Sequence, residues 1–151
     1  MKDIFDIETY ALFTSMTRKI GKEAAEEVAR SAGLIAYNII KEELELRSGK
    51  PLQVIRSIAD YLVRSGYANR IEVEEKAAGE IIYSMYDVTI FESAKRLNDE
   101  GAALPHYATH IMFAALKELC GVEPEITELE MGSENEPGLS GRERWILHSR
   151  G

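Results

Sequence analysis

The sequence predicts an α+β domain in which an antiparallel four-stranded sheet packs against a layer of about five helices. Apolar residues follow helical spacing through most of residues 3–65. The spacing then changes to strict alternation, as in RIEVEE at 70–75. Near the end, a helix between Pro105 and Gly121 leads into two strand-like segments. Strands that come in pairs with short connections form antiparallel ladders, so the helices and the sheet are expected to form separate layers.

The first two helices are predicted over residues 3–19 and 22–47, where apolar residues recur at intervals of three and four. In the first helix the shared face carries Ile4, Ile7, Ala11 and Thr14, and it is widened by Phe5, Leu12 and Phe13. In the second helix the shared face carries Val28, Ala32, Ile35 and Ile39. The charged residues between them are expected to lie in solvent. Glycine and proline in the segment SGKP at 48–51 end the second helix.

A third helix is expected over residues 52–65, and Gly66 ends it. The first strand pair follows at 70–75 and 80–88, and the second of these strands is rich in β-forming residues on both faces. A short helix at 90–97 then precedes the long terminal helix. The last strand pair is predicted at 122–131 and 144–149. The loop between them contains the one segment expected to be disordered, Gly132–Gly141.

Composition limits the classes of function. With 151 residues and 45% hydrophobic content, the chain is expected to form a single domain over 1–151. The 26 acidic and 18 basic residues give a net charge of -8, which disfavours a nucleic-acid partner. Because the chain has a single cysteine, no internal disulfide is expected, and a reducing cytoplasm fits. No apolar run is long enough to predict a membrane span.

His106 and His110 lie four residues apart at the start of the terminal helix, which puts both imidazoles on one face as candidate metal ligands. A third ligand would have to come from His148, Glu92 or Asp87. The alternative is that one histidine is a first-turn polar residue and the other is partly buried. The sequence assigns no catalytic residue, no metal site and no cofactor, because it contains none of the usual nucleophile or nucleotide-binding motifs.

Two further residues have a structural and a chemical interpretation. Cys120 lies at a helix C-terminus, where the helix dipole raises the pKa of a thiol, so a buried structural role is expected. Asp87 lies between a strand and the short helix at 90–97. It either caps that helix or faces a pocket, and capping is the prediction.

Three stretches share their layout with a known domain family: RKIGKEAAEEVARSAG in the helical region, EIIYSMYDVTIFESA at the middle strand, and HIMFAALKELCGVEPEITELE near the end. They resemble the 4-vinyl reductase domain, whose members share a fold with trafficking-particle (TRAPP) subunits. Family members often carry cysteines that hold a metal. This chain has His106, Met131 and Glu143 or Arg144 at those places, so no thiolate site is expected.

The resemblance implies a domain that binds or senses a small apolar or amphipathic ligand. Aromatic and soft side chains that suit such a cavity also build ordinary cores, and composition leaves both roles open. The residues predicted to contact a ligand are Tyr83, Met85, Tyr86, Tyr107, His110, Met112 and Phe113. The chain is expected to act through a partner or as a homodimer, with the helix at 22–47 as the self-complementary surface. The alternatives are a ligand-free assembly module and a small metal-dependent hydrolase.

Overall fold

A computed structural model describes residues 3–150, and within them the chain forms five helices and one four-stranded sheet. The elements are α1 (Ile4–Ile20), α2 (Lys22–Leu44), α3 (Pro51–Arg64), β1 (Arg70–Ala77), β2 (Glu80–Tyr86), α4 (Phe91–Asp99), α5 (Tyr107–Cys120), β3 (Val122–Glu130) and β4 (Leu139–Ser149). The strand order is β1-β2-β4-β3, and every neighbouring pair is antiparallel. The predicted α+β class is therefore confirmed. No helix in residues 3–150 is both long and apolar enough to cross a membrane.

The buried face of α2 carries small residues where the helix approaches α5. Gly33 is buried there, and a Cβ atom added to it would lie 2.4 Å from the Cβ of His110. The two helices can approach this closely only because Gly33 has no side chain. The buried face of α2 consists of Ala25, Ala29, Gly33, Tyr37 and Ile40. The helix ends at Leu44, short of the predicted residue 47, because Glu45 adopts a left-handed conformation with φ 52°.

Most residues of the apolar stripes predicted on the first two helices face solvent, although Phe13 is buried and Thr14 is half-buried. On α2, Ile35 is 62% exposed and Ile39 is 58% exposed. On α1, Ile4 and Ile7 are also exposed, and the residues that α1 buries are Asp6, Thr9 and Phe13. Helical spacing shows which residues share a face. It does not show which face packs inward, and on α2 the inward face is the one that carries Ala25, Ala29 and Gly33.

A side chain of α1 accepts hydrogen bonds from the N-terminal end of α4. The buried carboxylate of Asp6 accepts the Ser93 backbone N–H at 3.1 Å, and the Ser93 hydroxyl donates to the same side chain. Asp87 makes no capping bond to α4, so the capping prediction is wrong. Instead Asp87 has φ 52° and accepts a hydrogen bond from the Asn69 side chain at 3.2 Å. A cap that comes from 87 residues earlier in the chain leaves no local signal.

The main core lies between the sheet and helices α2, α3 and α5. Its largest fully buried side chains include Trp145 on β4 and Tyr83 on β2, whose rings stack with centroids 4.8 Å apart. The rings of Phe113 on α5 and Trp145 are nearly perpendicular, with centroids 4.9 Å apart. Because β4 occupies a central position, its side chains alternate between this core and the opposite face of the sheet.

The last strand is longer than predicted. Strand β4 begins at Leu139 rather than at residue 144, so part of the segment expected to be disordered is ordered in the sheet. Leu139 pairs with Tyr86, and Gly141 pairs with Met85. The sequence did not predict this pairing because the segment is rich in glycine, and glycine weakens the prediction of a strand. The extension brings residues 139–143 next to β2 and β3, where the candidate site lies.

Candidate functional site

A small cavity lies between the sheet and the N-terminal ends of α4 and α5. Its volume is about 50 Å³. A single water molecule needs roughly 10–15 Å³ of such volume. The cavity therefore has room for only a few non-hydrogen atoms. Most of its wall is apolar, and the main apolar side chains are Met85, Val88, Ile90, Phe91, Leu104 and Met131. Its polar groups come from Tyr67, His106, Ser140 and Glu143.

Glu143 is the central polar residue of the cavity. The alternation of β4 turns it, together with Gly141 and Trp145, toward the helices, and Glu143 is only 2% exposed. Thr109 donates its hydroxyl hydrogen to the carboxylate, with distances of 3.0 and 3.1 Å to the two oxygens. The indole N–H of Trp145 donates to Oε1 at 2.8 Å. The carboxylate is thereby fixed in one orientation between strand and helix.

His106 approaches the other side of that carboxylate. Its Nδ1 lies 3.5 Å from Oε2 of Glu143, and its side chain is 21% exposed. His106 is the N-cap residue of α5 and has φ 44°, a left-handed conformation that few non-glycine residues adopt. This strained backbone places the imidazole at the cavity rather than along the helix. Backbone strain in a non-glycine residue is more common at functional positions than elsewhere.

His110 lies one helical turn further along α5. Its ring meets that of His106 edge-on, with centroids 5.8 Å apart. Burial lowers the pKa of His110 to about 4, and the nearby charges of His106 and Arg30 lower it further, while Glu143 acts in the opposite direction. His110 is therefore neutral at pH 7. The second imidazole adds no positive charge to the site.

Two tyrosines extend the polar cluster. Burial raises the pKa of Tyr67 above its ordinary value, and a hydrogen bond with the Ala108 backbone opposes that effect. Burial also raises the pKa of Tyr83, with further contributions from Tyr67 and Glu143. The Tyr83 hydroxyl is buried and has no hydrogen-bond partner among residues 3–150. Both phenols are neutral at pH 7, so they act only as hydrogen-bonding groups.

The arrangement suits binding through hydrogen bonds. One end of the cavity carries a fixed carboxylate, an imidazole and a phenol, and the rest of the wall is apolar. Such a combination gives orientation at one end and contact area at the other. Within residues 3–150, no group of three or more His, Cys, Asp or Glu side chains is placed to hold a metal ion. His148, one proposed third ligand, pairs instead with Glu125 at 2.7 Å on the exposed end of the sheet.

The structure places the residues predicted to bind a ligand in three different regions. Met85 lines the cavity. Tyr83 is fully buried in the main core, and His110 lines a separate open groove between α2 and α5. Met112 and Phe113 belong to the main core.

Tyr86 and Tyr107, also predicted to bind a ligand, contact other parts of the fold. The hydroxyl of Tyr86 donates to Glu136 at 2.6 Å, in a group that also contains Arg142. Tyr107 packs against α1, where its hydroxyl lies 3.2 Å from that of Thr9. Neither residue lines the cavity.

Several residues of the cavity were not in the predicted set, and Glu143 is the most important of them. If the strand had been predicted to begin at residue 139, Glu143 and Trp145 would have been placed on the same buried face. A charged residue on a buried face is unusual enough to suggest a functional role. Tyr67, in contrast, lies in a turn after α3 and has no periodic signal. Cys120 is half-buried at the end of α5, and burial raises the pKa of its thiol, the direction that the sequence predicts.

No family model matches this chain, and no curated protein is similar enough to count as a match.

Proposed function

We propose that this domain binds a small apolar or amphipathic molecule in the cavity beside Glu143 and transmits that binding through a homodimer or another partner. The observation that carries the proposal is the combination of an apolar cavity with a buried, fixed hydrogen-bonding group at one end. Proteins seldom bury a carboxylate unless its hydrogen bonds and charge are compensated. A binding role would give this buried carboxylate a partner at the wall of the cavity.

The surroundings of the cavity support a binding role over a purely structural one. Met85 and Met131 have flexible, polarizable side chains that adapt to different ligand shapes. Phe91 and Tyr67 add aromatic contact area. The resemblance to the 4-vinyl reductase domain remains a prediction, and it agrees with this role. We also expect the protein in a reducing compartment such as the cytoplasm, since its one thiol has no partner for a disulfide.

Trp145 allows a direct test, because it is the only tryptophan and its indole N–H is bonded to Glu143. Small alcohols, amines and ketones of about four to six non-hydrogen atoms would be titrated while tryptophan fluorescence is followed. We expect at least one class to give a saturable change. Substitution Ala94→Leu adds bulk at the cavity wall and should abolish that change. Substitution Ala11→Leu, on the exposed side of α1, is the matched control and should leave it intact.

Two results would overturn the proposal. If no probe gives a saturable fluorescence change, the cavity is not a binding site. If probes bind equally well to the wild type and to the Ala94→Leu variant, they bind elsewhere on the protein.

A second candidate function, an assembly module, is favoured by the exposed apolar stripe of α2. Val28, Ala32, Ile35 and Ile39 are all exposed, and they span about 16 Å of helix at 1.5 Å per residue. A stripe of this kind on one helix can pack against the same stripe of a second copy around a two-fold axis. Unpartnered apolar residues in such numbers mark contact surfaces. We propose that the second copy is the occupant, which also gives the ligand-binding domain its route to a signal.

Substitution Ile35→Glu tests this surface. The charge would lie in the middle of the dimer contact, so sedimentation equilibrium should show a dimer for the wild type and a monomer for the variant. Substitution Ile20→Glu, at a residue that is 50% exposed outside the stripe, should leave the dimer intact. A wild-type protein that is monomeric at high micromolar concentration would contradict the proposal.

A further inference from the structure

The buried charge of Glu143 has no cationic side chain to balance it. Among residues 3–150, no Lys or Arg pairs with Glu143, and the one basic side chain within 4 Å of its carboxylate is His106, at 3.5 Å. The two arginines next to it in β4 point to the opposite face of the sheet. Arg142 pairs there with Glu136 at 2.6 Å, and Arg144 pairs with Glu80 at 2.9 Å.

The two oxygens of Glu143 differ in what they already bind. Oε1 receives the Trp145 indole N–H at 2.8 Å and the Thr109 hydroxyl at 3.0 Å. Oε2 shares the same Thr109 hydroxyl at 3.1 Å and has His106 at 3.5 Å, which is beyond the usual length of a hydrogen bond. A carboxylate accepts about four hydrogen bonds. Oε2 is thus the oxygen with acceptor capacity left, and it lies on the side of His106, which also lines the cavity.

The helix end next to Glu143 offsets only part of the negative charge. Thr109 lies in the first turn of α5, so the carboxylate is close to the N-terminus of that helix. A helix N-terminus is equivalent to about half a positive charge. The remainder calls for a cation, and none of the side chains that line the cavity is Lys or Arg. A ligand that carries an anion would bring two negative charges together in a low-dielectric site.

The rest of the wall fits the body of an amphipathic cation. Phe91 and Tyr67 offer aromatic rings, and an ammonium group is attracted to the face of such rings. Met85 and Met131 line the apolar part. The cavity is too small for a long chain, since it measures about 50 Å³. A branched alkyl group of about three to five non-hydrogen atoms matches that size, at roughly 10–15 Å³ for each water-sized group.

We infer that the ligand of this cavity is a small protonated primary amine, whose ammonium group pairs with Oε2 of Glu143 and whose alkyl body contacts Met85, Phe91 and Met131. The inference rests on the proposed function and specifies its ligand class. The ammonium supplies the donor and the charge that the carboxylate lacks, and a charge-assisted hydrogen bond is about twice as strong as a neutral one.

Isothermal titration calorimetry at pH 7 with three probes of similar shape tests the inference: isobutylamine, isobutanol and isobutyrate. We expect the amine to bind the wild type at least about tenfold more tightly than the alcohol, and the acid not to bind. In the Glu143→Gln variant, the amine should lose at least about tenfold in affinity, while the alcohol should change by less than about threefold. If that variant does not fold, the comparison of the three probes on the wild type is decisive by itself.

The outcomes separate the two proposals. If the alcohol binds the wild type as tightly as the amine, or if the acid binds best, the amine inference is wrong and the binding role stands. If none of the three probes binds, and the wider fluorescence titration also finds no ligand, both the inference and the proposed function are wrong.

Discussion

Substitution Gly33→Ala is a sharp test because helix propensity and packing predict opposite signs. The new Cβ would lie 2.4 Å from the Cβ of His110 and 3.0 Å from its carbonyl carbon. Carbon atoms in contact are about 3.5–4.0 Å apart, so one helix must move by about 1 Å. Overpacking of this kind costs about 1–3 kcal/mol. Alanine in place of glycine within a helix stabilises the helix by about 1 kcal/mol.

The net expectation is a loss of about 0–2 kcal/mol in the free energy of unfolding, which corresponds to a fall of up to about 8 °C in Tm for a domain of this size. Urea unfolding followed by circular dichroism measures the first quantity, and calorimetry measures the second. Substitution Gly49→Ala is the control, because the nearest atom to its added Cβ would be at 3.6 Å. That variant should lose no stability. A Gly33→Ala protein more stable than the wild type would show that α2 and α5 are not packed this closely.

Three further predictions concern single side chains. Because the pKa of His110 is lowered to about 4, the unfolded chain takes up a proton at higher pH than the folded one, so stability should fall as pH drops from about 6.5 to about 4. Urea unfolding should show His110 accounting for about 2 kcal/mol of the loss between pH 7 and pH 5, and His110→Asn should lose correspondingly less. Tyr83→Phe removes a hydroxyl without a partner, so its unfolding free energy should stay equal or rise by up to about 1 kcal/mol; a clear loss would show that the hydroxyl is bonded. Asp6→Ala removes the acceptor for the Ser93 N–H and should cost about 1–2 kcal/mol in the same assay, whereas an unchanged value would contradict the capping role.

The sequence predicts the element order well because each element has a local signal. The helix between Pro105 and Gly121 and the alternation at 70–75 both depend on neighbouring residues only. Short connections also identify the β1–β2 and β3–β4 hairpins. The pairing of β2 with β4 has no such signal, because it joins strands far apart in the chain. That pairing builds the cavity, which is why the site was harder to predict than the fold.

The inward face of α2 shows a second limit. Its apolar stripe at Ile35 and Ile39 is stronger than the small-residue face at Ala29 and Gly33, yet the small residues are buried. Gly33 in the middle of a long helix was the available clue, since glycine there disfavours the helix unless another element approaches closely. The exposed stripe is therefore available for contact with another molecule and does not contribute to the core.

Methyl NMR of ¹³C-labelled methionine shows whether the cavity beside Glu143 takes up a ligand, because the four methionines among residues 3–150 lie in different parts of the fold. Met85 and Met131 line the cavity, while Met112 is fully buried in the main core and Met16 lies on α1. On titration with isobutylamine and isobutanol, we expect saturable shifts of the Met85 and Met131 methyl signals with at least one of the probes, and no shift of the Met16 signal. If the signals of Met85 and Met131 stay still while the probes reach millimolar concentrations, or if only Met16 moves, the cavity beside Glu143 does not bind such ligands.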